Sequence, residues 1–135
     1  MKLDELKELQ VDGCEHRNEY PYAVDYDYPL SYSEPIIKNT QGEFICDKHS
    51  ILEYNDYEMK FYEDYEICEI PTGRSILGNY YYLKPVKPKK ITYLYHTRKQ
   101  MIDLILHLRD NRRYYDKQRM VKEKLINLEN DFKWH

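Results

Sequence analysis

The chain has 135 residues, of which 41% are hydrophobic and 33% charged, with a formal net charge of −3. A chain of this size buries roughly two thirds of its unfolded surface and folds without disulfide or metal staples, which fits one domain over residues 1–135. The composition excludes collagen-like, low-complexity disordered and membrane-spanning classes.

Sixteen Tyr stand against a single Ala (Ala23) and four Gly. Residues with AT-rich codons are favoured, which suggests an AT-rich genome such as that of a bacteriophage or other mobile element. The net charge hides a segregation. Residues 1–83 carry 18 acidic and 7 basic side chains, and residues 84–135 carry 6 acidic and 14 basic. An acidic, Tyr-rich body (about 1–84) is thus followed by a basic helical part (about 90–135). The two are either complementary to each other or aimed at different partners.

In chain order, Met1 to Gln10 reads as a short acidic amphipathic helix with no apolar leader core. Residues 11–35 pass through Gly13, Pro21, Pro29 and Pro35 without a sustained period. They read as an extended segment with at most one edge strand, because proline cannot donate to a ladder. Ile36–Lys38 and Glu43–Cys46 flank a turn at Asn39–Gly42 and read as a hairpin. Tyr57, Met59 and Phe61 alternate with Glu58, Lys60 and Tyr62, and Tyr65 and Ile67 resume the same period against Glu66 and Cys68, the clearest strand signal in the chain. A turn at Pro71–Arg74 precedes a strand over Ser75–Lys84, ending before Pro85.

Residues 89–135 contain neither Gly nor Pro. Thr97 and Gln100 have the spacing of a capping box. Met101, Ile102, Leu104, Ile105, Leu106 and Leu108 cover nearly the whole circumference of two turns, so that helix is expected to be buried. A second stripe, Val121, Leu125, Leu128 and Phe132, is out of register with the first. The slip near Asp110–Asn111 predicts either a helical hairpin or a bent long helix. The fold class is therefore α+β. A small antiparallel sheet (about 36–84) carries a short N-terminal helix and a C-terminal helical part, and Leu104, Ile105 and Leu108 pack on the face bearing Met59, Phe61 and Ile67. The second stripe either folds back on that core or pairs two copies into a homodimer.

Three constellations carry possible chemistry. Cys14 with His16 and Cys46 with His49 form two short Cys/His pairs beside turns, a donor set that suits structural zinc. The one-residue spacer of the first pair matches no standard finger, so coincidence is the alternative and no cofactor is expected. Cysteines that are odd in number and widely spaced argue against a disulfide framework and for the reducing cytoplasm of a bacterial host cell.

The second constellation is acidic and aromatic. An extended backbone puts Asp25 and Asp27 on one face, roughly 6.7 Å apart, and Tyr26 and Tyr28 on the other. Glu19, Tyr22, Glu63, Asp64 and Glu66 extend this surface. Spaced carboxylates resemble a phosphate backbone in potential, and tyrosine gives a large contact area with few rotamers to freeze. The third constellation, Arg109, Arg112, Arg113, Arg119 and Lys122, falls within about half the circumference of a continuous helix and suits phosphate neutralisation.

No Gly-rich phosphate loop, nucleophile elbow or paired-histidine helix is present in the sequence. His96 and Arg98, with Tyr93 and Tyr95, are the residues from which a metal-independent nuclease site would have to be built. The expectation is a non-enzymatic, nucleic-acid-mimicking inhibitor with no membrane partner. It would act through the acidic, Tyr-rich surface on a host nucleic-acid-processing or defence protein, in the manner of anti-CRISPR proteins. The alternative is a small nucleic-acid-binding protein using the basic helices.

Overall fold

The structure, a computed structural model, describes residues 1–26, 37–38, 44–45, 50–69 and 81–133. Helix α1 spans Leu3–Lys7 and helix α2 spans Arg98–Lys133. The strands are β1 (Cys14–Arg17), β2 (Tyr22–Tyr26), β3 (Ile37–Lys38), β4 (Phe44–Ile45), β5 (Ser50–Tyr54), β6 (Glu58–Phe61), β7 (Asp64–Glu69), β8 (Tyr81–Val86) and β9 (Lys89–Thr92). The main sheet has the order β1-β2-β5-β6-β9, and β3-β4 and β7-β8 form separate two-stranded ribbons. Every pairing is antiparallel. The α+β class read from the sequence is the fold observed. The expected turns at Asn39–Gly42 and Pro71–Arg74, and Ser75 to Tyr80 of the expected strand, lie outside the described residues.

The segment expected to hold at most one edge strand supplies two strands of the main sheet, β1 and β2, and β2 is an interior strand. Proline precedes β2 instead of breaking it. Pro21 sits just before its first residue, and none of Tyr22–Tyr26 is proline, so each can donate to the ladder. A further difference concerns the long alternating run. It divides at Tyr62–Glu63, with β6 in the main sheet and β7 in the ribbon. Buried residues keep odd numbers across the division (Met59, Phe61, Tyr65), so a period of two cannot reveal it. What holds the division is a side chain from elsewhere: Asn111 of α2 donates to the Glu63 carbonyl at 2.6 Å. Strand β8 runs through Pro85, which lies opposite Tyr65. A two-stranded ribbon has only edge strands, where a missing N–H is tolerated.

One face of the main sheet is the core. Val24, Tyr26, Leu52, Tyr54, Met59 and Phe61 lie beneath Leu6 and Leu9 at the N-terminal end and Met101, Ile105 and Leu108 of α2. Leu104 is partly buried against this cluster. Ile67, expected there too, belongs to the separate β7-β8 ribbon. The opposite face carries a cross-strand row by register, Arg17–Ala23–Glu53–Lys60–Lys90. Glu53 pairs with Lys60 at 3.7 Å and Glu58 with Lys90 at 3.7 Å.

Helix α2 is one continuous element of 36 residues, so the helical hairpin is set aside in favour of the long helix. Its start is a closed capping box. The Thr97 amide donates to Gln100 Oε1 at 2.9 Å, and the Gln100 amide donates to Thr97 Oγ1 at 3.2 Å. The slip in the apolar pattern has a different cause from a break. The buried face continues past Leu108 as Arg112, Asp116 and Arg119, at spacings of four, four and three residues. Arg112 lies over the Tyr65 ring, 4.7 Å from its centroid, and 3.7 Å from Asp116. Arg119 reaches Glu123 at 3.0 Å, and Glu123 accepts the Tyr81 amide of β8 at 2.9 Å. A charged, internally paired stripe thus fastens the ribbon to the helix.

Two substitutions should separate these halves of α2. Ile105→Ala leaves a cavity in an apolar core and should cost about 2–5 kcal/mol. Asp116→Ala removes the carboxylate that lies between two buried guanidinium groups and should cost about 3–5 kcal/mol. Denaturant titration of each variant measures both, and a cost below about 1 kcal/mol for Asp116→Ala would contradict the buried network.

Candidate binding surface

The structure distributes the acidic, aromatic residues differently from the expected single face. On β2 the alternation is as expected, but the ring-bearing face is the core face. Tyr26 is buried, and its hydroxyl accepts from Arg113 Nε at 3.1 Å. Tyr22 is half-buried, stacked on Tyr54 at 5.6 Å with the Lys7 ammonium 4.1 Å from its ring centroid. The Tyr26 ring is therefore closed to a partner, and the Tyr22 ring is only partly open. Asp25 is engaged by Arg17 at 3.1 Å and by the Ser50 hydroxyl at 2.7 Å. Glu63 pairs with Lys89 at 3.3 Å. Glu19, Asp64 and Glu66 are exposed. Asp27 and Tyr28 lie outside the described residues.

The strand directions bring together a set that sequence reasoning missed. Because β1-β2-β5-β6-β9 is antiparallel throughout, the β1–β2 turn, the β5–β6 turn and the exit of β9 all fall at one end of the sheet. At a strand spacing of about 4.8 Å, this edge is about 19 Å wide. It presents Tyr20, Tyr57 and Tyr95, which are 76%, 57% and 91% exposed, together with exposed Glu19, Asp56 and Leu94. The alternating period claims Tyr57 as the first inward residue of a strand, whereas the strand starts at Glu58 and leaves Tyr57 in the turn.

These tips are held by specific bonds. Asn55 Oδ1 accepts from the Tyr57 and Glu58 amides at 3.1 and 2.8 Å, an Asx-type turn. The buried Tyr93 hydroxyl donates to the Asn55 carbonyl, which ties the β9 exit to the β5–β6 turn. Tyr20 meets Tyr22 edge-on at 5.9 Å. A hollow of about 220 Å³ lies at this end, lined by Tyr20, Tyr54, Glu58, Lys60 and Lys90 among others. Burial, with smaller contributions from Tyr93 and Tyr22, pushes the Tyr54 hydroxyl up to about 12. Tyr93 is committed to this scaffold, which removes it from the nuclease constellation considered with His96 and Arg98.

The basic constellation is not a solvent-facing stripe. Arg112 and Arg119 are buried in the network with Asp116. Arg113 serves Tyr26. Arg109 donates to the Asp12 carbonyl at 2.7 Å and pairs with Asp110 at 2.9 Å. Its stem lies 3.2 Å from where a Cβ on Gly13 would stand, and Gly13 has a left-handed φ of 78°. Both constraints call for glycine at that turn. Lys122 alone of the five is exposed, 4.8 Å from the Tyr81 ring centroid.

Of the Cys/His quartet, Cys14 and His16 alternate on the core-facing side of β1, while Cys46 and His49 lie outside the described residues. Burial pushes the Cys14 thiol up to about 11, against the opposing pull of Arg109 and Arg113. Among the described residues no three His, Cys, Asp or Glu side chains cluster as a metal site. Both imidazole nitrogens of His16 are shielded from water. Burial lowers its pKa, partly offset by the Leu9 backbone.

No known protein family, curated protein or solved structure matches this chain. Among the described residues no helix is long and apolar enough to cross a membrane.

The shielding of His16 gives a pH prediction. Its folded pKa lies below the unfolded value of 6.5, so the unfolded chain takes up protons first as pH falls. Stability from neutral His16 is complete above about 6.5 and is lost below it, down through the folded pKa. Unfolding free energy measured between pH 7.5 and 5 should therefore fall, and His16→Gln should flatten that slope. An unchanged slope in the variant would assign the acid sensitivity elsewhere.

Proposed function

We propose that this chain is a non-enzymatic binding protein of bacteriophage or mobile-element origin that inhibits or modulates a host nucleic-acid-processing protein. Its working surface is the tyrosine-tipped, acidic end of the main sheet. The observation that carries this reading is the concentration of Tyr20, Tyr57 and Tyr95 on three adjacent loop tips, two of them tied together by hydrogen bonds. Exposed tyrosine on a rigid support gives large contact area at low entropic cost, the design of many binding surfaces. Glu19 and Asp56 between the rings favour a partner surface of positive potential, as nucleic-acid-processing proteins carry. The AT-rich composition is the support for the mobile-element origin. The alternative of direct nucleic-acid binding through α2 loses its main support, since two of its five cations are buried and two more hold the fold.

The test is capture from a bacterial lysate, with and without nuclease treatment, by the wild-type chain and by a Tyr20→Ala, Tyr57→Ala, Tyr95→Ala triple variant. A specific protein retained after nuclease treatment, and lost with the triple variant while its melting temperature is unchanged, is the expected result. Capture that disappears on nuclease treatment, or direct binding to nucleic acid with a steep salt dependence, would replace this reading with the nucleic-acid alternative.

A further inference from the structure

From Tyr114 onward the helix carries large side chains that nothing in the described structure covers. Tyr114, Val121, Leu125 and Leu128 are each more than half exposed. With Gln118 they follow one another at spacings of 4, 3, 4 and 3 residues. That is the 3.5-residue repeat of a coiled-coil seam, distinct from the broader stripe of a helix lying on a globular core. The Gln118 amide donates to the Tyr114 hydroxyl at 2.6 Å, so the polar tips in the seam satisfy each other. Alongside runs a hollow of about 690 Å³, lined by Val121, Leu125 and Ile126 of α2 and Ile67 of β7, with Lys117 and Lys122 also in its lining.

We propose that the C-terminal part of this seam, from Val121 onward, pairs with the same part of a second copy of the chain. The two α2 helices run antiparallel, with Leu125 of each opposite Leu128 of the other. The flanking charges select both the partner and the direction. In a parallel pair, Lys117 of one copy would stand beside Lys122 of the other on both sides, two like-charge contacts that offset the two attractive ones between Lys124 and helix position 129. In the antiparallel register, Lys122 shares one flank with helix position 129 of the other copy and Lys124 the other flank with position 131, each within a turn of level, where the sequence has Glu and Asp. Two-fold symmetry makes each attractive pairing occur twice. The contact leaves the loop end of the sheet uninvolved, so the dimer presents two copies of the surface proposed above, a bivalent arrangement.

Sedimentation equilibrium of the full chain under reducing conditions, over a range of concentrations, tests this. A monomer–dimer equilibrium is expected, with Leu125→Glu monomeric at every concentration and unchanged in the circular dichroism of its folded state. Lys122→Glu should weaken the dimer by roughly three- to tenfold, and the Lys122→Glu, Glu129→Lys double variant should restore it. A wild-type chain that stays monomeric throughout overturns the proposal. A dimer unaffected by Leu125→Glu overturns the seam. A dimer tightened by Lys122→Glu overturns the antiparallel register, because only a parallel pair would gain by that change.

Discussion

A helix of 36 residues is about 54 Å long, whereas neither dimension of the main sheet exceeds about 20 Å. That mismatch governs the rest of the molecule. The first turns of α2 close the sheet with Met101, Ile105 and Leu108, which the apolar face of β2, β5 and β6 requires. Further along, the same buried stripe must be covered by something other than the sheet, and the β7-β8 ribbon covers it. The stripe there becomes Arg112, Asp116 and Arg119. A buried charge is tolerated only when paired and hydrogen-bonded, and Glu123 links the network to the backbone of β8. Past Glu123 the ribbon's fastening ends, while the exposed seam that starts at Tyr114 continues.

The segregation of charge along the chain is partly resolved inside the fold. Lys89 and Lys90 on β9 meet Glu63 and Glu58, and Arg109 is drawn to the turn at Asp12. These are contacts between the basic and acidic parts of the sequence. Each exposed pair contributes little energy. Their consequence is that much of the apparent basic surface is already occupied. The exposed tyrosines of the main sheet lie at its loop end, on turns fixed by Asn55 and Tyr93.

The class of fold, the capping box and the apolar helix over Met101–Leu108 were legible because each is a local pattern with a direct physical cause. The hairpin at Ile37–Lys38 and Phe44–Ile45 was legible for the same reason. The division between β6 and β7 was not, because the break leaves the period of two intact and depends on Asn111, far away in sequence. The arginines misled for a related reason. Sequence periodicity detects burial only where buried residues are apolar, and α2 buries charge. The tyrosines at 22 and 26 were read as surface because tyrosine is amphipathic, and only the sheet's order decides which face is covered. Tyr20, Tyr57 and Tyr95 could be gathered into one surface only once the strand order was known.

The account rests on α2 being a single helix across Asp110 and Asn111, since the buried arginines, the fastening of the ribbon and the position of the seam all follow from it. Residue-resolved amide hydrogen exchange measures this directly. The account predicts one block of slow exchange running without interruption from Ile102 to Glu123, with Asp110, Asn111 and Arg112 as protected as their neighbours. Fast exchange at those three residues between two protected segments would show a helical hairpin and contradict the account.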